Sequence, residues 1–410
     1  MIRTNRIIDY LVAALLGVLA FAVSPVGLIL TKGHTGLSTR EITMTLALDA
    51  FLISWIGAIV TQGRRRRFFF HLVVWTFPLL LFDGLETLAR TTHLAERILP
   101  VADESGLVNR GHLPTYFSDA TRWTPTSPGW RLYKPWNRDG VFVNDLGLRT
   151  AAPTAKSPGE WRVAISGGST VWGWRVLDAD TIPFIMQRLV QHAPRRITVY
   201  NFGIEGATLE AELLTLQRFR ETYALDQVLF YTGSNDVLKS YSSAKGGRRK
   251  FEEFVSTEFE LGKAAKGVSA VIRGVDASDI ARFEREIMPP VLQDNPLRRG
   301  IVAAERYCHD AELECQFALQ PTLVTRHNHP GGEARLARTY ELLLPGMGML
   351  TKEMYRDAIA GARDARIYDL TDVFDDQSKQ FFTDHVHLTE DGNRVVAEAL
   401  APLLLKNAPQ

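Results

Sequence analysis

Three polar residues stand out because their types and spacing could catalyse acyl transfer. Ser169 lies in the glycine-rich run Gly167–Thr170, and His387 follows Asp384 by three residues. A serine hydroxyl becomes a nucleophile when a histidine accepts its proton, and a carboxylate can hold that histidine in the required tautomer. We therefore predict that Ser169 attacks an ester carbonyl, that His387 acts as general base and acid, and that Asp384 orients the imidazole.

Two further polar loops could stabilise the negative oxygen that forms during such a reaction. They are Asn201–Thr208 and Gly233–Asp236, at the ends of two apolar, strand-like runs. An oxyanion needs preorganised hydrogen-bond donors, each typically worth about 2.7–4 kcal/mol. The predicted donors are the backbone N–H groups of Ser169 and Gly206 and the side-chain amide of Asn235.

The elements that must position these loops alternate between strands and helices. Apolar runs predict five strands, at Trp161–Ser166, Ile197–Phe202, Gln227–Thr232, Gln316–Gln320 and Arg366–Leu370. Helical spacing predicts five helices, at Thr181–His192, Leu209–Tyr223, Pro296–Ala311, Tyr340–Ala362 and Gly392–Leu405. This alternation implies βαβ units and a parallel sheet with helices on both faces. The carboxyl ends of such strands share one edge, so we expect the polar loops to meet there.

Four blocks, which begin at Gly167, Asn201, Gly233 and Asp384, resemble in this order the SGNH (GDSL-type) hydrolase family. The resemblance runs from about Asn144 to the C-terminus. It implies an α/β fold, namely a three-layer, flavodoxin-like domain built on a parallel sheet. It also implies the roles given above for the serine, the glycine, the asparagine and the Asp–x–x–His pair.

The first block departs from the family's usual Gly-Asp-Ser, because Gly168 stands where the aspartate would be. This form is similar to the Gly-Gly-Ser-Thr version of envelope-associated members. We expect Gly168, Trp172, Arg175 and His327 to contact the substrate. No organic cofactor is implied, and no metal is predicted because no third ligand for His327 and His329 is evident.

The resemblance also suggests a substrate, which is an acetyl ester on an envelope or extracellular polysaccharide. With water as acceptor the protein would be an esterase, and with a glycan hydroxyl it would be an O-acetyltransferase. A lipid ester is another alternative substrate, as for a lysophospholipase. In a different class, the chain would be a non-catalytic scaffold that binds membrane proteins of a polysaccharide complex. No nucleic-acid partner is expected, because the formal net charge is only +1.

Three apolar stretches precede residue 90 and approach the length of membrane spans. Tyr10–Thr31 has no charged residue, Ile42–Gly63 has only Asp49, and Phe68–Leu85 has only Asp83. A helix needs about 20 residues to cross a hydrocarbon core of about 30 Å. We predict three transmembrane helices in contact with the lipid bilayer. Asp49 would face another helix, either as a functional contact or as a simple helix–helix hydrogen bond.

Positive charge in the short loops predicts the orientation of these spans. Four consecutive arginines, Arg64–Arg67, follow the second stretch, whereas the loop Lys32–Glu41 holds two basic residues. The more basic loops face the cytoplasm, so three spans place the rest of the chain on the extracytoplasmic, periplasmic side of the plasma or inner membrane. A third stretch that only lay on the membrane surface would reverse this result. A cleaved signal peptide is an alternative for the first stretch.

Charge also divides the chain into regions. Residues 1–90 hold nine Lys/Arg and five Asp/Glu, a net charge of +4, while the remainder holds 38 and 41, a net charge of −3. We predict a membrane domain at 1–90, a proline-rich, loop-like connector at 91–140 and a hydrolase-like domain at 141–410. An insertion at 240–295, with the basic run Lys245–Lys250, could be a substrate lid or a surface insertion.

The chain has two cysteines, Cys308 and Cys315, which excludes a scaffold built on disulfides and a four-cysteine zinc site. Outside the cytoplasm these two could form a disulfide, and the sequence leaves open whether they are paired or free. Neither is expected to be the nucleophile, because Ser169 fits that role far better.

Overall fold

The computed structural model describes residues 2–24, 39–100, 123–127, 130–244, 260–275 and 277–407. These residues form two compact units. The first holds the described residues of Met1–Leu99 and Arg248–Ser269, and the second holds those of Pro100–Gly247 and Ala270–Gln410. Most of the predicted loop Lys32–Glu41 and all of the basic run Lys245–Lys250 lie outside the described residues.

Apolar helices build the N-terminal part of the first unit. They are α1 Ile2–Val23, α2 Thr39–Val60, α3 Gly63–Thr91 and α4 Leu94–Ile98. Many large apolar side chains on them are exposed, including Leu15, Ile53 and Trp75. Within the described residues, only α3 combines the length and the apolar composition that a membrane crossing needs, whereas Val12–Phe21 and Leu48–Val60 are shorter apolar helical segments. Three spans therefore remain a prediction.

Two antiparallel hairpins come first among the described strands of the second unit. Their strands are β1 Trp123–Ser127, β2 Trp130–Tyr133, β3 Trp136–Arg138 and β4 Val141–Val143. The predicted connector at 91–140 contains the strands β1 to β3, so the prediction that it is loop-like is wrong for these strands. Asp139 and Gly140 turn the second hairpin with φ values of 57° and 74°, and an Asp-Gly pair with positive φ is a favoured two-residue hairpin turn.

A five-stranded parallel sheet follows, as the sequence predicts. Its strands are β5 Trp161–Gly167, β6 Ile197–Gly203, β7 Gln227–Thr232, β8 Glu314–Leu319 and β9 Ile367–Asp369. The strand order is β6-β5-β7-β8-β9, and all four neighbouring pairs are parallel. This order places β5 between β6 and β7, so the loops that leave these three strands are neighbours at one edge.

Helices pack on this sheet and connect its strands. They are α5 Ser169–Trp172, α6 Ile182–Val190, α7 Leu209–Tyr223, α8 Ser234–Ala244, α9 Glu260–Arg273, α10 Ala277–Arg282, α11 Met288–Gln293, α12 Pro296–Asp310, α13 Gly332–Leu343, α14 Met347–Gly361 and α15 Glu390–Asn407. A short 3₁₀ turn at Asp178–Asp180 and a π turn at Phe283–Ile287 complete them. The predicted single helix Tyr340–Ala362 is wrong. It is broken where Pro345 precedes Gly346, whose φ is +84°, because proline and left-handed glycine both interrupt helices.

Alternate residues of the central strand β7 belong to two different cores. Val228 and Phe230 lie in the core that includes residues of α7, α12 and α14. Leu229 and Tyr231 lie in the core that includes residues of α6, α13 and α15. Because side chains alternate across a strand, the sheet has helices on both faces. The predicted three-layer α/β architecture is thus observed.

Helix α9, from the predicted insertion, begins within the first unit. The backbone N–H of Leu261 donates a hydrogen bond to Glu86 Oε2 at 2.9 Å, and Arg90 pairs with the other oxygen of Glu86 at 2.7 Å. The Glu86 side chain is fully buried. The start of α9 therefore has its partner on α3, and this part of the insertion belongs structurally to the first unit.

Cys308 and Cys315 form a disulfide between the end of α12 and the start of β8. Closing a loop of this size lowers the conformational entropy of the unfolded chain, which stabilises the folded state by about 2–3 kcal/mol. We predict that the double variant Cys308→Ala/Cys315→Ala lowers the free energy of unfolding by about that amount. Urea unfolding of the purified protein, followed by tryptophan fluorescence, measures this change. Dithiothreitol should lower the midpoint of the wild type but not that of the variant, and equal responses would show that the cysteines are unpaired.

Candidate active site

The nucleophile candidate Ser169 begins a short helix directly after a central strand. Strand β5 ends at Gly167, Gly168 is extended, and α5 starts at Ser169. The next three residues are buried, whereas Ser169 itself is partly exposed. The turn is therefore anchored in the core on one side and presents the serine hydroxyl on the other.

A continuous chain of hydrogen bonds connects the three predicted catalytic residues. His387 Nε2 lies 2.7 Å from Ser169 Oγ, and His387 Nδ1 lies 2.6 Å from Asp384 Oδ2. When Nδ1–H donates a hydrogen bond to the carboxylate, Nε2 is left unprotonated and can accept the serine hydroxyl proton. The other carboxylate oxygen of Asp384 accepts the backbone N–H groups of Val386 and His387 at 2.9 and 2.7 Å. Both oxygens of Asp384 thus act to hold the histidine in place.

The electrostatics of this loop keep the aspartate charged. Burial disfavours the Asp384 carboxylate, but His387, its hydrogen bonds and the neighbouring His385 outweigh burial and hold the pKa of Asp384 well below its usual range. For His385 burial has the larger effect and lowers the pKa of the imidazole, and the charge of Asp384 opposes this only in part. The His385 ring packs against Tyr340, with the ring centroids 5.2 Å apart. His385 is therefore a packed side chain beside the catalytic pair.

The two loops that flank Ser169 carry the predicted oxyanion donors. Gly206 is exposed and has a φ of +72°, a left-handed conformation that glycine adopts without steric cost. Asn235 donates one amide N–H to Ala207 O at 2.8 Å, which leaves its second N–H available to a substrate. A Cβ at Gly168 would collide with the Asn235 amide. The glycine in the first block therefore leaves room for this side chain.

Three comparisons set this geometry beside known proteins. No family model and no curated protein matches the chain. Similar solved structures are esterases and lipolytic proteins. One is an acetyl xylan esterase (13% identity, TM-score 0.35, 59% of this chain and 98% of that chain covered). Another is a member of the lipolytic G-D-S-L family from Veillonella parvula (13% identity, TM-score 0.35, 60% of this chain and 97% of that chain covered).

A lipase/acylhydrolase from Enterococcus faecalis is a third similar structure (14% identity, TM-score 0.34, 61% of this chain and 99% of that chain covered). At TM-scores below 0.5 these likenesses do not assign the chain to a family. The chemistry of the site rests on the hydrogen bonds and burial of its own residues.

Trp172 does not lie where a substrate could touch it. Its side chain is wholly buried and stacks on Tyr133, with ring centroids 5.0 Å apart. The guanidinium of Arg149 lies 4.8 Å from its ring centre. The prediction that Trp172 binds substrate is therefore wrong, because the indole supports the nucleophile turn from the core. Arg175 is partly exposed, with its guanidinium 5.7 Å from the ring centre of Trp174.

His327 is engaged elsewhere on the loop that follows β8. Its Nδ1 lies 2.6 Å from Asp375 Oδ2, and its backbone N–H donates to Asp375 Oδ1 at 3.1 Å. Asp372 is 3.9 Å away, so these three side chains are the group in the described chain that could hold a metal ion. Its two aspartates were not recognised from the sequence, because they lie more than forty positions from His327. The contacts of His327 with Asp375 do not join it to Ser169 or His387, and its contact with a substrate stays a prediction.

Trp174, which the sequence also offers as a pocket residue, is more favourably placed beside the histidine than Trp172. Trp174 is half-buried, and its ring centroid lies 6.0 Å from that of His387. Its backbone N–H donates to Ser169 O at 2.9 Å. Trp174 therefore borders the reacting groups, where it can contact a bound substrate.

The buried Arg149 holds the segment after the nucleophile, a role that the sequence did not reveal. Its guanidinium donates to the carbonyl oxygens of Trp172, Gly173 and Val176 at 3.0, 2.7 and 2.7 Å. It also pairs with Asp178 at 2.7 Å. One side chain thereby fixes the whole turn that leads away from Ser169.

A second buried arginine braces the histidine loop. Arg326 pairs with Glu333 at 2.7 Å with both side chains buried, and it donates to Gln377 O at 2.6 Å. Glu333 Oε1 in turn accepts the backbone N–H groups of Phe381 and Phe382 at 2.5 and 2.8 Å. This ion pair therefore fixes the chain immediately before Asp384.

Gly203 at the end of β6 allows the backbone of α5 to pack closely, since a Cβ there would collide with the backbone of Trp172. We predict that Gly203→Ala costs about 1–3 kcal/mol of stability through overpacking. It should also turn Ser169 away from His387 and reduce labelling of Ser169 by a fluorophosphonate probe at least ~10-fold, because proton transfer needs hydrogen-bond contact. Gel fluorescence of the labelled protein measures the effect.

The matched control is Gly159→Ala, at an exposed turn where a Cβ meets no atom within 4 Å and φ is +74°. This variant carries only local backbone strain, about 1–2 kcal/mol, and should keep its labelling rate. Equal labelling of the two variants would contradict the role given to Gly203.

Proposed function

We propose that this protein is a membrane-anchored, SGNH-type serine esterase that removes acetyl groups from envelope or extracellular polysaccharide. The observation that carries the proposal is the unbroken hydrogen-bond chain from Ser169 through His387 to Asp384. These residues come from loops at the same sheet edge, and candidate oxyanion donors lie on both sides of the serine. Nucleophile, base, orienting acid and donors are the groups that acyl transfer from an ester requires.

The reaction proceeds in two steps. Ser169 Oγ attacks the ester carbonyl while His387 Nε2 takes the hydroxyl proton, and the oxyanion is stabilised by the N–H groups of Ser169, Gly206 and Asn235. His387 then gives this proton to the departing sugar oxygen, which leaves an acetyl group on Ser169. A water molecule attacks the acetyl carbonyl and passes one proton to His387. The bond between Ser169 Oγ and the acetyl carbon then breaks as His387 returns the proton to Ser169 Oγ, acetic acid leaves, and Asp384 stays ionised throughout.

The surroundings of the site support a carbohydrate substrate. Trp174 offers a half-buried indole beside His387, and an aromatic ring provides an apolar surface with a polar edge. Ser169 is partly exposed on its turn. A site open in this way can accept an acetyl group that projects from a polymer.

Several features support an anchor with the catalytic unit outside the cytoplasm. The helices α1 to α3 expose large apolar side chains, and the arginine run Arg64–Arg67 begins α3. Basic loops remain on the cytoplasmic side. The disulfide between Cys308 and Cys315 fits an oxidising compartment.

The first test compares the full-length protein with its Ser169→Ala variant. We expect hydrolysis of p-nitrophenyl acetate to fall at least ~10³-fold, because the variant lacks the nucleophile. Ser157→Ala, at a site in the turn before β5, is the matched control and should keep the wild-type rate. Equal rates for the wild type and Ser169→Ala would contradict the esterase proposal.

The acceptor is identified in the same preparation with an acetylated oligosaccharide. Release of free acetate, measured by mass spectrometry, supports hydrolysis. Appearance of the acetyl group on a second, unacetylated oligosaccharide would instead identify the protein as an O-acetyltransferase.

The second test concerns topology. Reporters that are active only outside the cytoplasm are fused after Gln62, between α2 and α3, and after Thr92, beyond α3. Three spans predict an inactive fusion at Gln62 and an active one at Thr92, because α3 crosses the membrane between them. Activity on the same side at both positions would contradict a membrane-spanning α3.

A further inference from the structure

The two loops with candidate oxyanion donors are joined by a pair of hydrogen bonds. They leave β6 and β7, which flank the strand that carries Ser169. Asn235 Nδ2 donates to Ala207 O at 2.8 Å. The backbone N–H of Leu209 donates to Asp236 Oδ2 at 3.1 Å. Asn235 and Asp236, two consecutive residues after β7, thus bind the loop after β6 at the residues on either side of Thr208.

The bond to Asp236 replaces an ordinary helix cap. Leu209 is the first residue of α7, and the N-cap residue Thr208 makes no side-chain capping bond. The first N–H groups of a helix need acceptors, and a carboxylate there also benefits from the helix dipole. Asp236 provides this acceptor from α8, so the position of α7 depends on a side chain that directly follows Asn235.

The carboxyl group of Asp236 is surrounded by groups from several elements. Glu212, fully buried on α7, accepts the hydroxyl of Thr232 at 3.0 Å. Glu210 on α7 raises the pKa of Asp236, Lys239 on α8 lowers it, and the buried Tyr355 on α14 interacts with it. Burial is the largest influence, and although the Leu209 N–H opposes it, the pKa of Asp236 is raised to about 7. Burial and the charge of Asp236 raise the pKa of Glu212 well above its usual range.

We propose that Asp236 is a positioning residue that holds the Gly206 donor in register with the Asn235 donor by capping α7 across the site. This inference rests on the proposed esterase function. The ionised carboxylate is the stronger acceptor for the Leu209 N–H. Protonation weakens the cap, so the oxyanion donors are held less firmly and kcat falls towards acid pH. The binding of substrate outside the oxyanion site is unaffected, so KM changes little.

Ionisation of Asp236 changes the stability of the fold and the activity in opposite directions. The folded-state pKa of Asp236 is raised above that of an exposed aspartate, so ionising it between about pH 4 and pH 7 reduces the stability of the fold. A purely structural role would make activity follow stability. A positioning role makes the ionised state the more active and the less stable one.

The test measures kcat, KM and Tm from pH 5 to pH 8 for the wild type, Asp236→Asn and Asp236→Ala as full-length proteins, with p-nitrophenyl acetate as substrate. Asparagine keeps an acceptor oxygen but no charge. We expect Asp236→Asn to lower kcat about 3–10-fold at pH 8, in proportion to a weakened charge-assisted bond. The ratio of the wild-type kcat to the Asp236→Asn kcat should approach one at pH 5, where the wild-type carboxyl group is also neutral. KM should stay within about twofold, and Tm at pH 8 should not fall below that of the wild type.

Asp236→Ala removes the acceptor and should lower kcat at every pH, further than asparagine does. Glu210→Gln is the control, since Glu210 is exposed and lies beside the same helix start. It should leave kcat at pH 8 within about twofold. A ratio of wild type to Asp236→Asn that does not change with pH would overturn the inference. So would an unchanged kcat at pH 8.

These outcomes are separate from failure of the esterase proposal. If the wild type hydrolyses the ester and Ser169→Ala does not, the function stands and the pH ratio judges Asp236 alone. If both hydrolyse it equally, the function and the positioning role are overturned together.

Discussion

The hydrogen bond between Ser169 Oγ and His387 Nε2 joins residues 218 positions apart, and the rest of the second unit serves to keep it short. Neither side chain could hold this contact from a free loop, since ordering both segments costs conformational entropy. The parallel sheet supplies the first part of the solution. With β5 between β6 and β7, the serine turn and the two donor loops emerge side by side.

Buried charge supplies the second part. Arg149 binds the carbonyl oxygens that follow Ser169, and the Arg326–Glu333 pair binds the segment that precedes Asp384. Removing one partner of a buried ion pair typically costs about 3–5 kcal/mol. Each catalytic loop is therefore fixed by a charge that would be stranded in the core if the loop moved away.

The sequence was most informative where chemistry and chain order coincide. Ser169, Asp384 and His387 could be predicted because each follows a recognisable strand or precedes the last helix, and parallel strands bring such positions together. Trp172 was misjudged because it is buried with two of the other residues of its four-residue helix, and no periodic pattern distinguishes the buried from the exposed face of so short an element. Arg326 and Glu333 look like ordinary surface charges in the sequence. Only the packing of phenylalanines around them shows that they are buried.

The capping of α9 by Glu86 has a consequence for how the chain is made. The two partners are 175 positions apart, and a ribosome adds residues from the N-terminus onwards. The N-terminal helices are therefore synthesised long before the helix that completes their unit, and the strands β1 to β7 and the chain between them emerge in the interval. Until residue 261 is available, the carboxylate of Glu86 has no N–H partner from α9. The N-terminal unit can therefore complete its folding only after the chain that carries the serine loop has been translated.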